Sequence, residues 1–201
     1  MPEALDESAL TPPERLAVAY APRAFQPLWQ GFLTLDRRLA DAARAGREPL
    51  MIQLRLAWWR DRFDQPASQW PAGEPLLAML QPWDGERPAL RAMVDGWEAR
   101  IVGEDGGAAL GEARIQAVLA LARLCQIQPD ETVRRAAAEW LGLQQPGPRA
   151  PILPSALRPL AILRGMALRE TGRETGREAS GKPPSPLRDF LAILRIGTFG
   201  R

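Results

Sequence analysis

The sequence predicts an all-α protein, a single-domain helical bundle, and three observations carry that prediction. Apolar residues recur about every three to four positions along most of the chain, and prolines stand where those periodic segments begin. No segment shows the alternation that a half-buried strand requires. With 46% of 201 residues hydrophobic, the chain can bury one sizeable core.

Taken in order, Thr11-Pro-Pro-Glu14 reads as a capping box, opening a short helix to Tyr20. Pro22 opens a longer helix with Phe25, Leu28, Trp29, Phe32 and Leu39 at helical spacing, and Pro27 lies near its first turn. The region of Gly46 ends it. Arg47 to Asp61 then reads as one helix entered through Pro49, running to about Phe63. On this helix Leu50, Leu54 and Trp58 form an apolar stripe extended by Ala57. Trp58 and Trp59 point about 100° apart, so the helix is expected to sit at the centre of the bundle with neighbours on two sides. Arg55, four residues before Trp59, is placed to lie over that indole.

Residues 64–75 read as a loop, and Leu76, Leu77 and Leu80 as a short helix ending at Pro82. Pro88 starts a helix with Leu90, Met93, Val94, Trp97 and Ile101 on one face, and Gly103 to Gly107 break it. Residues 108–127 form the next, through Ile115, Val118, Leu119, Ala122 and Cys125. Pro129 opens a helix to Leu141, with Gly142 where a C-terminal cap is expected. A proline-rich connector over 144–154 leads to a helix from about Ser155 to Glu170. The expected organisation is therefore a helical domain over 1–170, a low-complexity linker over 171–186 and a C-terminal amphipathic helix over 187–201.

Charge is unevenly spread. The formal net charge is only +2, and the pI of 9.3 mostly reflects the absence of histidine. Residues 1–148 carry 16 arginines against 20 acids, and residues 149–201 carry 10 basic residues against 4 acids. That basic quarter suits an anionic membrane surface, a diphosphate or an acidic partner. It lacks the interleaved aromatics of a single-strand binder, so no nucleic acid is expected. Lys182 is the one lysine beside 25 arginines, a coding bias. The lone Cys125 excludes an internal disulfide and fits a reducing compartment. The N-terminus is too acidic for a signal peptide and no long apolar run is present. A cytoplasmic protein is expected, with peripheral contact at the inner membrane left open.

The chemistry the residues allow is narrow. Without histidine there is no histidine base or triad, and one cysteine cannot build a thiolate metal site. The glycines of GEDGG (103–107) lack the lysine and flanking strand of a phosphate loop. Carboxylates and arginines on helices remain, which is how Mg²⁺–diphosphate sites are built in helical bundles.

The segments AYAPRAFQPLWQGFLTLDRRLADAAR and REPLMIQLRLAWWRDRF resemble the squalene/phytoene synthase family, in particular short bacterial members with a similar arginine- and tryptophan-rich helix. RAMVDGWEARI (91–101) and SALRPLAILRGMALRE (155–170) are similar to later helices of that family. The likeness spans most of residues 14–170, and its specific part is Arg47 to Asp61. It implies an isoprenoid-synthase fold. It also implies ligand-binding roles for Arg47, Gln53, Arg55, Arg60 and Asp61, and for active members head-to-head joining of two prenyl diphosphates with Mg²⁺ on two aspartate-rich motifs.

The departures bear on activity. Carboxylates four apart lie about 40° apart around a helix and can share a metal. Here the first motif is represented by Asp36 and Asp41, five apart and about 140° apart in direction. The second has no counterpart; VRRAAAEWLGL (133–143) stands in its place. Asp36 and Asp41 read first as a solvated face, and Asp61 and Asp95 as partners for arginines. Arg55 and Arg60 read as cation–π or solvated charges, and the two tryptophans as core. The resulting expectation is a non-catalytic relative acting as a binding or assembly module, as some relatives do in respiratory-complex assembly, with no metal or cofactor and a prenyl diphosphate or protein as partner. The alternative is an active Mg²⁺-dependent prenyl-diphosphate transferase.

Overall fold

The computed structural model describes residues 10–44, 48–103 and 105–180. They form eight α-helices joined by turns, with no strand among them. In order these are α1 (Pro12–Ala19), α2 (Gln26–Ala42), α3 (Pro49–Phe63), α4 (Pro75–Leu80), α5 (Arg87–Val102), α6 (Ala108–Leu124), α7 (Glu131–Trp140) and α8 (Arg158–Ser180). The expected C-terminal helix over 187–201 lies outside the described residues.

Local chemistry places the helix ends. At α1 the Thr11 N–H donates to Glu14 Oε2 at 2.7 Å while the Glu14 N–H reaches back to Thr11 Oγ1, the reciprocal box read from the sequence. Pro49, Pro75 and Pro88 sit in the first turns of α3, α4 and α5, where a missing N–H leaves nothing unpaired. Asp130 caps α7 by accepting from the Val133 N–H at 3.1 Å. The same helix ends at Gly142, with φ of 71° and the Leu143 N–H bonded back to Ala138 O at 2.9 Å. The end of α6 is built the same way, from Ile127 N–H to Ala122 O at 2.9 Å, but Gln126 occupies the left-handed position.

The central element is α2, and this corrects the expectation that α3 would be surrounded. Trp29, Phe32, Leu33, Leu35 and Leu39 on α2 are all buried, covering a wide arc that meets α1, α3, α4, α5 and α6. Phe32 stacks on Trp83 at 6.2 Å and meets the edge of Trp140 at 6.4 Å. The Trp29 indole N–H donates to Ala156 O at 2.9 Å, tying α2 to the turn that opens α8.

Helix α3 lies to one side, packed mainly on α5 and also on α2. It buries Ile52, Leu56, Trp59 and Phe63. The stripe read from the sequence as core is the opposite one: Leu50, Leu54 and Trp58, with Met51, face outward. Both stripes fit helical spacing, and they lie about 150° apart around the axis. Arg55 does not lie over Trp59; the cation–π contact on this helix is Arg62 over Trp58 at 5.8 Å.

Two further seams fix the second half. At Gly96 the backbones of α5 and α6 come so close that a Cβ there would lie 2.8 Å from Leu110 Cα. Between α7 and α8, Glu139 is wholly buried and receives the Arg164 Nε–H and, at 3.0 Å, the Gly147 N–H. Helix α8 runs to Ser180, so the first ten residues of the expected linker are helical. Arginine and glutamate are good helix formers, and their number in this stretch offsets the two glycines.

Candidate functional site

The site grows from the ends of α2 and α3. Arg38, Asp41 and Ala42 recur at i, i+3 and i+4 on α2, and Arg55, Trp58 and Trp59 at the same spacing on α3. With Glu74, which precedes α4, they line an open cleft of about 420 Å³. Its apolar wall is the edge-to-face pair Trp58–Trp59, 4.9 Å between centroids. Its carboxylates are already engaged. Asp41 pairs with Arg44 at 2.7 Å, and Glu74 accepts the Leu76 N–H at 3.1 Å as the cap of α4. Among the described residues, neither Arg38 nor Arg55 has a carboxylate partner.

Asp36 does not reach this cleft. It faces α5 and α6, where Arg114 donates to it through Nε at 3.1 Å and Nη2 at 2.8 Å, and the Trp97 indole N–H at 3.0 Å. The guanidinium of Arg114 also lies 5.2 Å from the Trp97 ring centroid. Three donors from two helices converge on one carboxylate, a bidentate fork plus an indole, so Asp36 acts as a packing bolt. The five-residue spacing thus sends Asp36 and Asp41 to different neighbours.

The remaining expected site residues scatter. Arg60 turns into the α3–α5 seam and donates to Asp95 at 2.9 Å and to Glu98; Arg91 bridges Asp95 at 3.0 Å and Asp64 at 2.6 Å. Burial disfavours charge on Arg60, yet its bonds to Asp95 and Glu98 raise its pKa on balance. Gln53 and Asp61 are exposed and do not line the cleft, and Arg47 lies outside the described residues. Of the expected set, Asp41 and Arg55 come together. Arg38 and Glu74 were not singled out from the sequence. Arg38 carries a signal, its position one turn before Asp41, whereas Glu74 arrives by a loop that spacing cannot place.

Two carboxylates of the second half are likewise engaged. Glu112 accepts from Arg134 at 2.9 Å and from Gln116 at 2.7 Å, and those bonds hold its pKa below the usual range. Glu139 is closed inside the α7–α8 seam. Among the described residues no three metal-ligating side chains group closely enough to hold a metal ion. No described helix is long and apolar enough to cross a membrane. No protein-family model, no curated protein and no solved structure matches the chain.

Proposed function

We propose that this chain is a non-catalytic binding or assembly module built on the helical plan of the squalene/phytoene synthases. The observation that carries the reading is the engagement of Asp36. A carboxylate that accepts a bidentate arginine and an indole N–H has three of its roughly four lone-pair sites taken by protein donors, which leaves little for a metal. Asp41, on another side of α2, would have to organise the charge of two diphosphates without it. The α2–α3 cleft suits binding better than turnover, because Arg38 and Arg55 can take an anion without a metal. A prenyl diphosphate or a protein segment with an acidic group is the partner this chemistry fits.

The test is turnover. Purified protein is incubated with farnesyl and geranylgeranyl diphosphates, Mg²⁺ and a reductant, and extracts are analysed by mass. No squalene, phytoene or cyclopropyl intermediate is expected above a protein-free control. Product formed by the protein and lost in Asp41→Asn would overturn the reading in favour of an active Mg²⁺-dependent transferase.

A further inference from the structure

Among the described residues, the outer face of α3 is the feature no packing contact explains. Leu50, Met51, Leu54 and Trp58 are 59%, 45%, 55% and 38% exposed, four large apolar side chains within nine residues. They span about 100° of the helix surface. A folded chain does not gather such residues outward without a partner for them.

The charges around the stripe say what kind of partner fits. Along its cleft side run Arg55 and Arg62, with Arg62 held over the Trp58 ring, and Arg38 faces them from α2. Asp41 is paired with Arg44, and Glu74 keeps its charge as the α4 cap, so with Arg38, Arg55 and Arg62 that border is net positive. Asp61 lies on the line of the stripe one turn beyond Trp58, and Glu48 precedes the first turn, so a carboxylate closes the ridge at each end. A ridge of leucine and methionine, a tryptophan at its edge and guanidinium groups beside it match the layers of a bilayer surface. Acyl chains meet the ridge, the headgroup boundary meets the indole, and lipid phosphates meet the arginines.

We infer that α3 docks the protein on an anionic phospholipid bilayer, with Leu50, Met51 and Leu54 inserting and Arg38 and Arg55 holding lipid phosphates. This deepens the binding-module reading by naming a partner, and it rests on that reading only for its place in function; vesicle binding and turnover are separate readouts. The contact lies on the helical body and not on the basic C-terminal quarter.

The test is flotation of the full chain with phosphatidylcholine vesicles, with and without phosphatidylglycerol. Binding to the mixed vesicles is expected, falling by about tenfold or more in Leu54→Glu, whose melting curve serves as the folding control. Arg38→Glu with Arg55→Glu is expected to erase the preference for anionic over neutral vesicles. Binding to neither vesicle, or binding unchanged in Leu54→Glu, would overturn the inference. So would light scattering that shows a dimer turned monomeric by Leu54→Glu, since the face would then join two copies of the chain.

Discussion

The two faces of α3 carry nearly the same side chains and meet opposite fates. Ile52, Leu56, Trp59 and Phe63 close against α2 and α5, whereas Leu50, Met51, Leu54 and Trp58 stay in solvent. The adjacent tryptophans make the contrast sharp. Trp59 is 8% exposed and stacked on Phe63 at 5.7 Å; Trp58 touches it edge-on from outside. What separates the faces is what lies opposite them, not their composition. One side meets α2 and α5, and among the described residues the other faces the cleft and its arginines.

Truncation should split the pair. Trp59→Ala removes a core indole and is expected to cost roughly 3–5 kcal/mol, whereas Trp58→Ala should cost less than about 1 kcal/mol. Urea unfolding of both variants checks this, and equal losses would break the distinction. The next largest effect concerns the platform under the inner face. Helix α5 is seated by Gly96 against Leu110, and Gly96→Ala forces a Cβ against backbone that cannot swing aside. An overpacking loss of roughly 1–3 kcal/mol is expected in the same assay. The outer face should be indifferent, so combining Gly96→Ala with Trp58→Ala should simply add.

Sequence reasoning reached the helices because their ends are chemical. The Thr11 box, the prolines of α3 to α5 and Gly142 are signals that act within a few residues. It could not choose the face of α3, since two stripes of equal apolar character satisfy one period and only the partners decide. The wide apolar arc of α2, from Trp29 to Leu39, was the better mark of a central helix. The divergence of Asp36 and Asp41 was legible from a five-residue spacing. The donors that hold Asp36, Trp97 and Arg114, come from far along the chain and were not. Glycines and low complexity hid the continuation of α8, whose glutamates and arginines favour helix.

Two smaller effects sharpen the comparison further. Burial pushes the Cys125 thiol from its ordinary value near 9.0 to about 11. The unfolded chain therefore ionises first, and stability should fall as pH rises from about 9 toward 11, by at most about 1.4 kcal/mol per pH unit. Urea unfolding at stepped pH should give this slope in the parent and in Trp58→Ala alike, because it belongs to the core and not to the outer stripe. Arg60 marks the border between the faces. Cutting its bonds to Asp95 and Glu98 in Arg60→Ala should cost about 1 kcal/mol, since the seam is part-exposed and solvent screens it. A thermal melt would resolve that loss, and an unchanged melt would make the seam ornamental.

Everything proposed for α3 requires its outer face to be open in the intact protein. The most direct measurement is the urea unfolding free energy of Leu54→Glu in the full chain. Leucine and glutamate have similar helix propensities, so burial alone decides the outcome. A change within about 0.5 kcal/mol is expected, as for a substitution on a free surface. A loss of several kcal/mol would mean that this leucine is covered when the chain folds, and would contradict both the contrast between the two faces and the docking surface drawn from it.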